Sequence, residues 1–301
     1  MQQLASFLNN NGSPFVVNIS PFLNIYQNKN LSADYAFFEN KAHPLVDGKN
    51  VYHNYFDGNL DTLESALKKI GFGQMPIVVG QAGWPTDGGV NATISNAKRF
   101  IQGLVNHVIS NKGTPLRPGN PPIETYIFNL LDEDKKSVLH GNFERHWGIF
   151  TFDGQVRYEI DVAEGSKGLV NAENVQYLSP RWCVTNDNHD LTNVTRHVRQ
   201  ACSTSDCTAL FSGGSCNHIG SPENISYAFN SYYQFHNQSV DSCNFDGLGM
   251  LTTVDPSIGD CRFLVATSDS YASSLYSSVM KHWIVQWTFL VCTLTFLGST
   301  F

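Results

Sequence analysis

The sequence predicts an α/β domain of the barrel type followed by a small disulfide-rich domain. For the first domain, short β-branched runs end abruptly in polar residues, and segments with helical spacing of apolar residues lie between them. For the second, six of the seven cysteines fall between Cys183 and Cys261. With 301 residues and 42% hydrophobic content, the chain is long enough to build a core in each domain.

Two candidate strands end in polar side chains. Met1 to Leu8 has the pattern of an amphipathic helix, and Phe15 to Ile19 reads as a buried strand with a site opening at its end. The run Ile77-Val78-Val79 is too short for a helix and suits a parallel strand covered on both faces. In barrels the chemistry lies at the carboxyl ends of such strands, and this one ends at Gln81.

The pattern continues along the chain. Residues 57–71 have leucines at helical spacing and a closing Gly71, and residues 91–111 form a second helical pattern. Residues 124–130 then give a third strand, which opens onto the charged segment 131–136.

The run from Pro76 to Gly88 resembles the Val-Val-x-Glu-x-Gly-Trp-Pro signature of plant family 17 glycoside hydrolases, the endo-1,3-β-glucosidases. The resemblance implies a (β/α)8 barrel in which Gln81 occupies the position of the nucleophilic Glu and Trp84 contacts substrate. In a retaining mechanism that Glu attacks the anomeric carbon. A neutral amide can neither attack efficiently nor stabilise an oxocarbenium ion.

Two further segments carry the resemblance. Phe15 to Pro21 is similar to the sixth barrel strand, which implies that Asn18 points into the site and that Ser20 replaces a sugar-contacting Tyr. Glu133, Lys136 and Glu144 match acidic and basic residues after the last strand, which implies hydrogen bonds to sugar hydroxyls and orientation of the nucleophile. A solvated charged loop is the alternative reading of these residues.

The resemblance covers about the last three of eight βα units, and we assign residues 1–163 to this partial barrel. The general acid of the family belongs to the fourth strand, which this sequence does not include. Three βα units cannot close a barrel. We therefore expect the sequence to be part of a longer product.

Residues 164–180 read as a linker, and residues 181–265 resemble the family 43 carbohydrate-binding module, which binds β-1,3-glucan. Six cysteines alone allow fifteen connectivities. The resemblance implies the pairs Cys183–Cys243, Cys202–Cys207 and Cys216–Cys261. Flat aromatic faces for sugar rings are expected at Trp182, Tyr227, Tyr232, Tyr233 and Phe245, although a small domain also needs aromatic residues in its core.

Composition excludes some classes of function. The net charge of −7 argues against binding of nucleic acid. The cysteine spacing fits no zinc site, and we expect no metal or other cofactor. Sequons for N-glycosylation, which agree with secretion, occur at Asn30, Asn91, Asn193, Asn224 and Asn237.

The last segments of the sequence have the composition of a membrane-anchoring signal. Residues 266–282 form a Ser-rich stalk, and residues 283–301 are almost entirely apolar. Small residues around Ala272, a spacer and this tail fit a signal for a GPI anchor on the outer face of the plasma membrane. A transmembrane helix is the alternative.

The first hypothesis is a cell-surface glucan endo-1,3-β-glucosidase that acts on cell-wall β-1,3-glucan (callose), as a monomer. The second is a glucan-binding protein that has lost catalysis because its nucleophile position is Gln81. The third is a truncated gene product that does not fold alone.

Overall fold

The first domain is built around three parallel strands separated by helices. The computed structural model describes residues 1–119, 123–162, 168–186, 188, 191 and 194–268. In order, the elements are α1 (Gln2–Asn10), β1 (Phe15–Asn18), α2 (Pro21–Gln27), β2 (Leu45–Asp47), β3 (Asn50–Tyr52), α3 (Tyr55–Lys69), β4 (Ile77–Ala82), α4 (Ile94–Ile109), β5 (Gly113–Thr114), β6 (Arg117–Pro118) and β7 (Thr125–Ile127).

The main sheet has the order β1-β4-β7, with β4 in the centre and both neighbours parallel to it. The side chains of Ile77 and Val79, on one face of β4, are buried together with Ala82, whereas Val78 and Gly80 on the other face are half-buried. The three strands confirm the prediction, although β7 is shorter than expected. Strands β2–β3 and β5–β6 form two short antiparallel hairpins.

Helices α3 and α4 have well-defined starts. The side chain of Asn54 caps α3 by accepting from the N–H of Asp57, and Thr93 caps α4 by accepting from the N–H of Asn96. Gly71, with φ of 91°, follows α3 in the left-handed region that suits glycine. The apolar faces of the two helices pack on the sheet through Leu60, Leu67, Phe100, Ile101 and Leu104.

The long connection between α2 and β2 packs against the rest of the domain. Tyr35 and Phe37 are buried, and the hydroxyl of Tyr35 donates to the carbonyl of Tyr52 at 2.8 Å. Arg99 of α4 binds Glu39 with two hydrogen bonds of 2.9 Å and lies 4.0 Å above the ring of Phe37. These aromatic residues therefore belong to the core of the connection.

The second domain contains β8 (Trp182–Thr185), α5 (Thr195–Thr204), α6 (Glu223–Phe235) and β9 (Gly249–Thr252), with β8 and β9 paired antiparallel. Its disulfides join Cys183 to Cys243, Cys202 to Cys207 and Cys216 to Cys261. All three pairs confirm the connectivity implied by the resemblance. The first disulfide lies in a core with Phe229 and Tyr233.

The described part of the segment between the domains is tied to both of them. The hydroxyl of Tyr177 donates to Asp153 at 2.7 Å, and the N–H of Ala172 donates to the carbonyl of Gly154 at 2.8 Å. On the other side, the N–H of Leu178 donates to the carbonyl of Ala266 at 2.9 Å. Residues 168–180 are thus held by hydrogen bonds at several points, although most of them are exposed.

No helix among the described residues is both long and apolar enough to cross a membrane.

Candidate functional site

The carboxyl ends of β1 and β4 bring Asn18 and Gln81 into direct contact. The side-chain amide of Asn18 donates to Oε1 of Gln81 at 3.0 Å. The two residues are also register partners, and the N–H of Ile19 donates to the carbonyl of Gln81 at 2.9 Å. Both side chains are exposed. The site predicted at the end of these strands is therefore open to solvent.

Gly83 lets the chain after β4 approach the end of β7 very closely. A Cβ atom at this position would lie 1.7 Å from the carbonyl oxygen of Phe128. The N–H of Phe128 in turn donates to the carbonyl of Ala82 at 2.9 Å. Only glycine fits this contact, because a methyl group would collide with main-chain atoms. The contact joins the two strand ends that carry the candidate site.

The loop after β7 holds the charged residues that the sequence predicted. The amide of Asn129 donates to Glu133 at 2.7 Å, and Nζ of Lys136 lies 2.9 Å from Oε2 of Glu144. The same Nζ lies 4.4 Å above the ring of Phe128. Each carboxylate thus has a fixed partner, and Lys136 balances the charge of Glu144.

A largely shielded ion pair, Asp132 with Arg157, fixes the start of this loop. Asp132 accepts from the N–H of Gly148 at 2.8 Å and pairs with the guanidinium of Arg157. Burial raises the pKa of Asp132, while the nearby positive charge of Arg157 opposes that rise. Sequence reasoning missed Phe128, Asn129 and this ion pair, and the only signal for them was their position after the third strand.

Two residues expected at the site of the first domain, Trp84 and Ser20, have buried side-chain groups. Trp84 is fully buried, and its indole N–H donates to the carbonyl of Asn91 at 2.9 Å. Its ring packs against Phe22 and Phe100 and offers no face to a sugar. The hydroxyl of Ser20 is also buried, with no hydrogen-bond partner among the described residues.

Three of the five aromatic residues named for sugar rings in the second domain follow the alternative expectation and lie in its core. Trp182, Tyr233 and Phe245 are buried, so their faces are filled by the core. The indole N–H of Trp182 donates to the carbonyl of Phe263, and the ring of Phe245 stacks on Phe229 at 3.8 Å.

The remaining two predicted aromatic residues, Tyr227 and Tyr232, are half-buried. The aromatic residues with more open faces are Phe211, 53% exposed, and Phe235, 43% exposed. Nothing in a sequence pattern distinguishes an exposed ring from a buried one in so small a domain.

The predicted modification sites fall on different kinds of surface. Asn30 and Asn237 are exposed, whereas Asn91 and Asn224 are half-buried. Asn193, Ala272 and the apolar tail lie outside the described residues.

The chemistry available at the strand ends is that of hydrogen bonding and ion pairing. The amides of Asn18 and Gln81 and the carboxylates of Glu133 and Glu144 can bind hydroxyl groups. The strand end at Gln81 carries no negative charge. Among the described residues, no group of three His, Cys, Asp or Glu side chains could hold a metal ion.

Residues 1–162 match the family model described as glycosyl hydrolases family 17. The chain belongs to this family. Residues 181–250 match the X8 domain, so the chain combines the family 17 barrel-type fold with a C-terminal X8 domain. The glucan endo-1,3-beta-glucosidase 9 of Arabidopsis thaliana is 50% identical over 291 residues, which cover 97% of this chain and 60% of that protein.

Other comparisons agree on the extent of the match. The glucan endo-1,3-beta-glucosidase 5 of Arabidopsis thaliana is 44% identical over 275 residues, covering 91% of this chain and 56% of that protein. CJP38, a beta-1,3-glucanase and allergen of Cryptomeria japonica pollen, is 39% identical with a TM-score of 0.51, covering 54% of this chain and 50% of the other. This family 17 chain therefore spans 56–60% of the length of these two Arabidopsis relatives.

Proposed function

We propose that the protein recognises β-1,3-glucan at the carboxyl ends of its barrel strands and on its X8 domain. The observation that carries this proposal is the hydrogen-bonded pair of Asn18 and Gln81, which opens to solvent at the strand ends of a family 17 domain. Amide groups at this edge can donate to and accept from sugar hydroxyls. The relatives named as glucan endo-1,3-beta-glucosidases support the same class of ligand.

The geometry favours binding over efficient hydrolysis by this chain. A retaining glycosidase needs a carboxylate that attacks the anomeric carbon. Gln81 stands where the sequence resemblance puts such a group, and it accepts a hydrogen bond from Asn18, but it lacks the charge. Binding of β-1,3-glucan without rapid turnover is therefore the first candidate function.

Hydrolysis is the second candidate, and the residues after β7 favour it. The Lys136–Glu144 ion pair and the Asn129–Glu133 hydrogen bond are both formed. A site kept only for binding would not require this arrangement of charges. The two candidates differ in turnover and not in the ligand.

Binding can be tested with insoluble polysaccharides. We expect the purified chain to be retained by insoluble β-1,3-glucan and released by soluble β-1,3-linked oligosaccharides, while cellulose, with β-1,4 linkages, retains little. The Gln81→Ala variant should need less soluble competitor for release, because it loses the hydrogen bond to Asn18. Gln3→Ala, at an exposed position of α1, is the matched control. Equal retention on both polysaccharides would contradict the proposal.

We further propose that the protein is held on the outer face of the plasma membrane by a glycolipid at or near Ala272. The support is the sequence of small residues, spacer and apolar tail after residue 268. Treatment of membrane fractions with a phosphatidylinositol-specific phospholipase should release the protein. Protein that stays in the detergent phase and yields a peptide from the apolar tail would favour a transmembrane anchor.

A further inference from the structure

A short segment of the X8 domain touches the two loops that border the candidate site. We call residues 206–215 the docking segment. Cys207 at its start and Cys216 just after it belong to two different disulfides, which limit its freedom. The segment contains a 3₁₀ helix, Thr208–Leu210, and an N–H from Cys216 donates back to the carbonyl of Ala209 at 2.9 Å.

The first contact of the docking segment is with the loop after β4. Ser215 donates to the two carboxylate oxygens of Asp87, from its main-chain N–H at 2.7 Å and from its hydroxyl at 2.6 Å. Hydrogen bonds to a charged acceptor are stronger than neutral ones. Next to this pair, a Cβ atom on Gly213 would lie 2.4 Å from the main chain of Gly89, so the two main chains are in direct contact.

The second contact is with the segment that follows Glu144. Arg145 lies 3.0 Å from Asp206, and the ring of His146 lies 2.6 Å from the hydroxyl of Thr208. Both members of the Arg145–Asp206 pair are largely shielded from solvent, with side chains 18% and 25% exposed. Shielded pairs are screened less by salt than exposed ones. The guanidinium of Arg145 also donates to the carbonyl of Lys136, which lies in the candidate site.

Two more contacts lie outside the docking segment. Nζ of Lys135, in the loop after β7, lies 5.7 Å from the ring centre of Phe235 on α6. The connection between the domains is held on both sides through Tyr177 and Leu178. The X8 domain is therefore restrained at several separate points and not only by the peptide chain.

We propose that the X8 domain is docked as a fixed part of the candidate site, with the docking segment holding the loops after β4 and after Glu144 in place. If the carbohydrate-binding domain moved freely on a linker, only contacts within the first domain would hold these loops in place. In this arrangement Asp87, Ser215 and Arg145 are positioning residues. The proposal does not depend on the identity of the ligand.

Hydrogen–deuterium exchange of the whole chain tests the docking, because it reads each side of the interface separately. Asp87→Ala, a change in the first domain, should raise the exchange of amides in the docking segment by about tenfold, as expected for loss of a charge-assisted hydrogen bond. Thr208→Val should raise exchange in residues 142–147 of the other domain. If a substitution had only local effects, the exchange of amides in the other domain would not change.

Two further variants keep the test decisive. Ser215→Ala on the Asp87→Ala background should add no further exchange, because the carboxylate that accepts from the Ser215 hydroxyl is already absent. Arg196→Ala is the matched control, because its ion pair with Asp246 lies within the X8 domain and is exposed. Unchanged exchange across the interface in folded Asp87→Ala would overturn the proposal. If Asp87→Ala does not fold, unchanged exchange of residues 142–147 in Thr208→Val overturns it equally, because that change removes the hydroxyl that contacts His146.

Discussion

Replacing Gln81 by Glu separates glucan binding from glucan hydrolysis more directly than any other single change. Oε1 of Gln81 accepts from the amide of Asn18 at 3.0 Å, and a Glu side chain keeps an acceptor at that place. The change is nearly isosteric and adds one negative charge. We therefore expect the fold and the affinity for β-1,3-glucan to change little, while turnover changes strongly.

The size of the effect follows from the charge. A carboxylate about 4 Å from the positive charge that develops on the sugar is worth about 4 kcal/mol at an effective dielectric constant near 20. By transition-state arithmetic this is a factor of about a thousand in rate. Formation of a covalent glycosyl intermediate would add to it, so a thousandfold gain is a lower bound.

The assay needs a complete barrel, because the chain spans only 60% of the Arabidopsis glucan endo-1,3-beta-glucosidase 9. We would join the preceding part of that relative to residues 1–268 and measure sugar release from soluble β-1,3-glucan, together with the anomeric configuration of the product. Gln3→Glu, at an exposed position of α1, is the charge-matched control. Equal turnover by the chimaera with Gln81 and by its Gln81→Glu variant would refute the charge argument. A Gln81→Glu chimaera that binds glucan but stays inactive would place the defect elsewhere.

Two predictions concern stability. Gly83→Ala should lower the free energy of unfolding by at least about 3 kcal/mol, because the new methyl group would lie 1.7 Å from a main-chain oxygen, whereas Gly80→Ala, which meets a side chain at 2.7 Å, should cost about 1 kcal/mol. Denaturant unfolding checks this, and equal losses would be inconsistent with the close contact. Hydrogen bonds from the Arg99 guanidinium, aided by a nearby lysine, lower the pKa of Glu39 to about 2. The unfolded chain therefore binds more protons between pH 5 and 2, so the stabilisation is present above about pH 5 and is lost as the pH falls towards 2. Glu39→Gln should cost about 1 kcal/mol at pH 6 and little at pH 2, and a constant difference would argue against the ion pair.

The strands and disulfides could be predicted because their signals are local or carried by the family resemblance. The β-branched run before Gln81 favours a strand, and the structure places it at the centre of the sheet. The disulfide connectivity, unlike the strands, could not be predicted from a local pattern. The number of cysteines left fifteen possibilities open, and only the resemblance to a known module selected the pairs that the structure contains.

The environment of individual aromatic side chains could not be predicted. Trp84 lies three residues after Gln81, yet it is fully buried among other rings. Its burial is decided by Phe22 and Phe100, which come from distant elements. In the X8 domain Phe235, which no motif singled out, is the ring that lies near the loop after β7. Whether an aromatic side chain is buried or exposed depends on tertiary packing, and no periodic pattern in the sequence indicates it.

The contact between the two domains could not be predicted from the sequence either. Asp87, Ser215 and Gly213 are small or polar residues in loops, where such residues are common. Asp87 and Ser215 are 128 positions apart, and no local rule connects residues at that separation. The segment between the domains was predicted as a linker, and only the structure shows how its described residues are held.

A carbohydrate-binding domain held at a constant distance changes how affinity depends on the length of the polymer. With a flexible tether, the effective concentration of the second site falls gradually with distance. If both sites bind β-1,3-glucan as proposed and the docking segment is in place, the span between the strand ends and the X8 surface is a single value, and a glucan shorter than that span can occupy one site only. Affinity should then rise in one step at a defined number of sugar units, and the position of that step would measure the span in solution.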